Sequence, residues 1–179
     1  MKRWIAWSGV LVFVGVGFAF SRVAESSHPL ERWGAWRAGA VSIDPEAGIR
    51  QRARSDCGPA ALAYALERLG SPASRDSLMS EMAWRENGAR FGDLATAARR
   101  RGFEAILRTE TSRDPRAVSP PAILWLRPGH FVVLEAADPR GGSLIVDPAL
   151  GRVRFSLAAL RRHWRGHVLE LAPPKGEES

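Results

Sequence analysis

The sequence predicts an α+β domain between residues 50 and 172, with helices first and an antiparallel sheet after them. Two observations carry this. From Asp56 to Arg101 apolar residues recur at helical spacing between glycine stops, and from Phe103 to Leu171 short apolar or alternating runs are separated by turn residues. Helices segregated from strands in this way give an α+β layer arrangement rather than alternating βαβ units.

The elements follow in order. Lys2-Arg3 is a short basic start, and the run Trp4–Phe20 carries no charged residue. Residues 1–24 read as a membrane-targeting segment, either a retained signal-anchor or a signal peptide cut after Ser21; a buried hydrophobic segment of the domain is the third reading. Trp4 and Trp7 suit the headgroup level. In the first two readings the domain lies outside the cytoplasm, membrane-anchored or secreted. Residues 25–49 resemble a linker, with Pro29, Gly34, Gly39, Pro45 and Gly48, and with Trp33 and Trp36 packing on the domain or the membrane surface.

Asp56-Cys57-Gly58-Pro59 opens the first helix, Asp56 as N-cap and Pro59 in the first turn; Leu62, Leu66 and Leu69 share a face and Gly70 closes it. A second helix is expected over Ser74–Trp84, with Leu78, Met79 and Met82 inward, and a third over Asp93–Arg101, stopped by Gly102. Strands are expected at Phe103–Leu107, Ala122–Leu126, Phe131–Ala136 and Ser143–Val146, the last two joined by the turn 138–142. Val153 and Phe155 mark another strand, Leu157–Trp164 a short helix, and His167–Leu171 the last strand. Residues 173–179 form a polar tail.

Composition narrows the function classes. The net charge is +7 with a pI near 11.0, yet lysine occurs only at positions 2 and 175, so the basic charge is arginine spread along the chain. Its densest runs, Arg99-Arg100-Arg101 and Arg161-Arg162, fall at expected helix ends, where cations suit the dipole. No nucleic-acid motif accompanies them, so this is a solvated surface or a contact for anionic lipid or an acidic peptide. The single cysteine excludes an intramolecular disulfide.

That cysteine carries the chemistry. Cys57 at a helix N-terminus faces unpaired backbone N–H groups and the positive end of the dipole, which stabilise a thiolate; the alternative is a small buried hydrophobe. Gly58 beside it is expected to let a substrate backbone approach. A thiolate that attacks an amide needs an oriented acid/base. Of the four histidines, His28 lies in the linker and His163 and His167 flank the last helix. His130 starts a core strand, and Asp147 ends the strand expected beside it, so antiparallel pairing brings the two together. Equally, His130 reads as a strand-end histidine and Asp147 as a turn former before Pro148. Gln51, six residues before Cys57, is an amide able to donate to an oxyanion, alongside the Cys57 backbone N–H.

Together these segments resemble one family, the bacteriocin-processing cysteine peptidases of type C39. Gln51 through Asp56-Cys57-Gly58-Pro59 to Leu62 resembles its Gln-to-Cys motif. The stretch from Phe91 to Phe103 is similar to its middle helix and following strand, and Gly129–Leu134 to its histidine motif. Asp147-Pro148 with Trp164-Arg165-Gly166 is similar to its Asp-Pro motif and closing Trp-x-Gly. The resemblance covers about residues 50–171. It implies a papain-like fold and a thiol peptidase with Cys57 as nucleophile, His130 as general acid/base, Asp147 as orienter and Gln51 as oxyanion donor, needing no metal or cofactor. It also implies removal of leader peptides after a double-glycine site, often beside a transporter.

No P-loop or multi-span region accompanies the motifs. With the N-terminal segment this makes an exported peptide, or a neighbouring membrane protein, the expected substrate, and a separate export component a partner. Two other readings remain: a non-catalytic peptide-binding module on the same fold acting with a membrane or export partner, and Cys–His acyl chemistry on cell-wall peptides.

Overall fold

The computed structural model describes residues 39–82, 88–139 and 142–173. The expectations for the targeting segment, Trp33 and Trp36, the end of the second helix at Trp84 and the tail beyond 173 fall outside these residues. Among the described residues no helix is long and apolar enough to cross a membrane.

The first helix, α1 (Cys57–Arg68), has every residue from Cys57 to Leu66 buried. A helix covered all round is a central helix, and α1 packs on the sheet, flanked by α2 (Arg75–Glu81) and by α3 (Phe91–Arg100), which also rests on the sheet. Gly70 and Gly102 close α1 and α3 with φ of 80° and 86°. In each the glycine and its successor donate back into the last turn (Gly70 to Glu67, Ser71 to Leu66; Gly102 to Arg99, Phe103 to Ala98), a left-handed closure that disfavours a side chain. Ser74 accepts the Ser77 N–H at the start of α2, which ends at Glu81, ahead of the expected boundary.

The strands are β1 (Ala40–Asp44), β2 (Glu104–Thr109), β3 (Ala122–Leu126), β4 (His130–Ala137), β5 (Gly142–Asp147), β6 (Gly151–Ser156) and β7 (Trp164–Ala172). They form one seven-stranded antiparallel sheet in the order β1-β6-β5-β4-β3-β7-β2. The predicted α+β arrangement is thus present, with strand ends moved by up to three residues, the most at the start of β7. β1 is the difference: residues 40–44 were expected in a linker, but they pair with β6, Ala40 opposite Phe155 and Val41 opposite Arg154. Gly39 and Pro45 bound this strand rather than marking a loop, and Ala40 is buried against the far face.

One face of the sheet carries α1 to α3 over Ile123, Phe131, Val133, Val146 and Leu169. The other face carries α4 (Leu157–His163) over Leu124, Val132, Leu134, Ile145, Val153 and Trp164. On the first face Glu135 bulges out of β4 between Leu134 and Ala136, where an extra residue re-aims its side chain. It accepts the Tyr64 hydroxyl from α1 at 2.6 Å and Arg152 from β6 at 2.7 and 2.9 Å. Much of the arginine charge is held in such pairs, as in Arg108 with Glu110 and Glu170 and Arg101 with Glu81.

Trp164 is fully buried and its indole N–H donates to the His167 carbonyl at 2.9 Å. Trp164→Ala is expected to cost about 3–5 kcal/mol, read as a fall in the midpoint of urea unfolding. A loss below about 1 kcal/mol would mean that this side of the sheet is not a packed core.

Candidate active site

Cys57 is the first residue of α1, preceded by a 3-10 turn, Arg54–Asp56. It is 5% exposed. Asp56 does not cap the helix as expected. It already lies in the helical turn (φ −102°, ψ 12°) rather than in the extended conformation of a cap, and makes no capping bond. Its carboxylate turns back instead, accepting the backbone N–H of Arg52 and of Ala53 at 3.0 Å each, with the Arg75 guanidinium at 3.4 Å.

Gly58 also departs from expectation. A methyl at this position would lie 3.1 Å from Phe131 Cδ2, 3.2 Å from Ala89 Cβ and 3.4 Å from Leu94 Cδ2. The glycine faces protein, and what it admits is the close packing of Phe131, Ala89 and Leu94 rather than a substrate backbone.

His130 opens β4 and Asp147 closes β5. With Val133 opposite Val146 the antiparallel register places the two ends together, and His130 Nε2 lies 2.8 Å from Asp147 Oδ1. Asp147 is buried and also accepts the Ala149 N–H at 2.7 Å, which fixes its carboxylate. Cys57 also lies close enough to the imidazole to raise its pKa. With Nε2 taken by Asp147, Nδ1 is the nitrogen left for the sulfur. Three residues distant in sequence are therefore brought into one neighbourhood.

The remaining described histidines are elsewhere. His163 ends α4, where burial and then the Arg162 charge lower its pKa. His167 is exposed and meets Thr109 Oγ1 at 3.2 Å.

Gln51 is fastened through its backbone, its N–H donating to the Pro148 carbonyl at 3.0 Å, one residue after Asp147. Its neighbour Arg52 is bonded to Asp56, one residue before Cys57. The Gln51 carboxamide oxygen is buried and makes no hydrogen bond among the described residues, so it is not committed to holding the loop.

A cavity of about 450 Å³ lies behind Gly58, lined by Gly88, Ala89, Phe91, Trp125 and Phe131, with Arg90 and His167 also lining it. Phe131 follows His130 and packs edge-on to Phe91 and Trp125, with ring centroids 4.9 and 4.5 Å away. By sequence, Trp125 and Phe131 fall in apolar runs expected to be core strands. The only signal to the contrary is a tryptophan at an alternate position of a strand, and it does not separate groove from core. Among the described residues no three His, Cys, Asp or Glu side chains converge as a metal site.

Burial works against the charged form of His130, but the Asp147 carboxylate and then Cys57 more than reverse this, and its pKa is pushed up to about 10. A histidine that holds its proton more tightly folded than unfolded stabilises the fold. That stabilisation is complete below the unfolded value of about 6.5 and is lost as pH rises through about 10. Between pH 6.5 and 10 the melting temperature is therefore expected to fall about 5 °C or more further in the wild type than in Asp147→Asn. Parallel curves would show that Asp147 does not hold the proton on His130.

Comparison with known proteins bears on this arrangement. The sequence model of the peptidase C39 family matches residues 46–176. An uncharacterized protein of Methanothermobacter marburgensis is 33% identical over 128 residues, covering 71% of this chain and 89% of that protein. Among solved structures, a double glycine motif protease from an AMS/PCAT transporter, in complex with the leader peptide, matches with 24% identity. It covers 76% of this chain and 93% of that one at a TM-score of 0.65. The peptidase domain of Streptococcus ComA, a bi-functional ABC transporter involved in a quorum sensing pathway, also matches at 24% identity. It covers 71% of this chain and 98% of that domain at a TM-score of 0.64. These two structures share the fold described above.

Proposed function

Since this chain belongs to the peptidase C39 family, we propose that it is a cysteine peptidase in which Cys57 is the nucleophile, His130 the general acid and base, Asp147 its orienter and Gln51 the oxyanion donor. The observation that carries this reading is the His130 ring held 2.8 Å from the buried Asp147 carboxylate, near enough to Cys57 for the thiol to raise its pKa.

The steps follow from that geometry. The Cys57 thiolate adds to the scissile carbonyl carbon, and the resulting oxyanion takes hydrogen bonds from the Gln51 amide and the Cys57 backbone N–H. The carbon–nitrogen bond breaks as the His130 imidazolium gives its proton to the leaving amine. Water then adds to the thioester, with His130 now as base, and the carbon–sulfur bond breaks to release a carboxylate. Asp147 keeps the ring oriented throughout and balances its charge.

The substrate is a peptide or protein processed at a leader or pro-segment. The narrow opening at Cys57, which is 5% exposed, favours small residues beside the scissile bond. The aromatic cavity behind Gly58 favours an apolar residue further along. The uncharged run Trp4–Phe20 supports a domain outside the cytoplasm, anchored or secreted, acting beside an export component.

The test is incubation of the full chain with a diverse peptide mixture, read by mass spectrometry, with and without prior iodoacetamide. Cleavage at defined bonds that the alkylating agent blocks is expected. Peptide capture without cleavage, by protein whose Cys57 does alkylate, would overturn the reading in favour of a binding module.

A further inference from the structure

Asp56 and Arg75 are 3% and 6% exposed, and the proposed mechanism uses neither. Burying a charge pair is a poor way to stabilise a fold, because the desolvation cost offsets the attraction. What the pair does hold is the loop that carries Gln51. Asp56 takes the N–H groups of Arg52 and Ala53, and Arg75 Nη1 donates to the Arg50 carbonyl at 2.9 Å. The Gln51 N–H goes to Pro148. Every residue from 50 to 53 thus has a backbone group fixed, three of them by this pair. Asp56 is also covalently joined to Cys57, so its two loop hydrogen bonds set the loop against the nucleophile.

We propose that the buried Asp56–Arg75 pair is a positioning device that holds the Gln51 carboxamide where the oxyanion forms beside Cys57. The proposal rests on the cysteine peptidase reading and adds two residues to it. Asp76, exposed, accepts from the other edge of the Arg75 guanidinium, Nη2 at 2.6 Å, and keeps it oriented toward Asp56 and Arg50.

Two small probes separate this role from a structural one. Acylation of Cys57 by p-nitrophenyl acetate passes through an oxyanion, whereas alkylation by iodoacetamide displaces iodide at a saturated carbon and forms none. In the full chain, Asp56→Asn is expected to slow acylation about 100-fold, the scale of a misplacement near 1 Å, and to leave alkylation within about twofold. Asp56→Asn combined with Arg75→Met removes both charges, so no buried charge is left unpaired, and is expected to show the same split. Adding Gln51→Ala to Asp56→Asn is expected to slow acylation no further than Gln51→Ala alone, and Arg75→Lys to recover part of the rate lost in Arg75→Met.

Equal loss of acylation and alkylation, unchanged acylation, or multiplicative effects of Asp56→Asn and Gln51→Ala would each overturn the positioning role. A wild-type chain that alkylates but never acylates would instead overturn the peptidase reading, and the positioning role with it.

Discussion

Cys57→Ala is expected to abolish peptide cleavage, lowering kcat/KM at least about 10⁴-fold, while the fold survives. The chain has no second cysteine to take over, and a water activated by His130 is the only remaining attacker. Stability should change by about 1 kcal/mol or less, because Cys57 is a small side chain at the start of a helix whose next nine residues are buried regardless, and alanine is the best helix former. Mass spectrometry of the peptide digest beside a thermal unfolding curve reads both effects. Activity within tenfold of the wild type would remove Cys57 from the mechanism. A collapse of the melting temperature would show that the residue is structural.

His130→Ala is expected to lower cleavage about 10³-fold and to slow alkylation of Cys57, since the sulfur loses the cation beside it. It also leaves the Asp147 carboxylate, 8% exposed at its side chain, without its charged partner. The Ala149 N–H remains its one hydrogen bond among those that fix it. That should cost about 1–3 kcal/mol of stability. Adding Asp147→Asn to His130→Ala removes the buried charge, and stability is expected to return while activity does not. Such a split separates the two roles of the pair, holding the ring and moving a proton. Unchanged alkylation in His130→Ala would show that the ring does not act on Cys57, and full activity would exclude it as the acid.

The helices and most strands were legible because their signals are local. Leu62 and Leu66 share a face, Gly70 and Gly102 permit the left-handed closure, and Ala122–Leu126 is an uninterrupted apolar run. β1 was not, although Val41 and Ile43 alternate with Ser42, because those two apolar side chains are exposed at 62% and 48%. An edge strand of five residues is defined by its partner, and β6 lies far along the chain. Asp56 misled for a related reason. Aspartate before a helix is a good cap, and only the fold reveals that Arg75 and the 50–53 loop compete for its carboxylate.

The sequence by itself determined the α+β order of elements and the placing of Cys57 at a helix start, and its family resemblance proposed Gln51, His130 and Asp147 as companions of the cysteine. It could do so because periodicity, caps and turns act over a few residues, and because the motifs keep their spacing. Tertiary structure alone decided that His130 Nε2 meets Asp147 in the neighbourhood of Cys57. It also decided that Phe91, Trp125 and Phe131 wall a cavity, that Gly58 packs closely against Phe131, Ala89 and Leu94, and that Arg75 reaches the Gln51 loop. These are encounters between segments whose distance along the chain says nothing of their distance in space. They exist only once the packing of α1 against the sheet has brought the segments together.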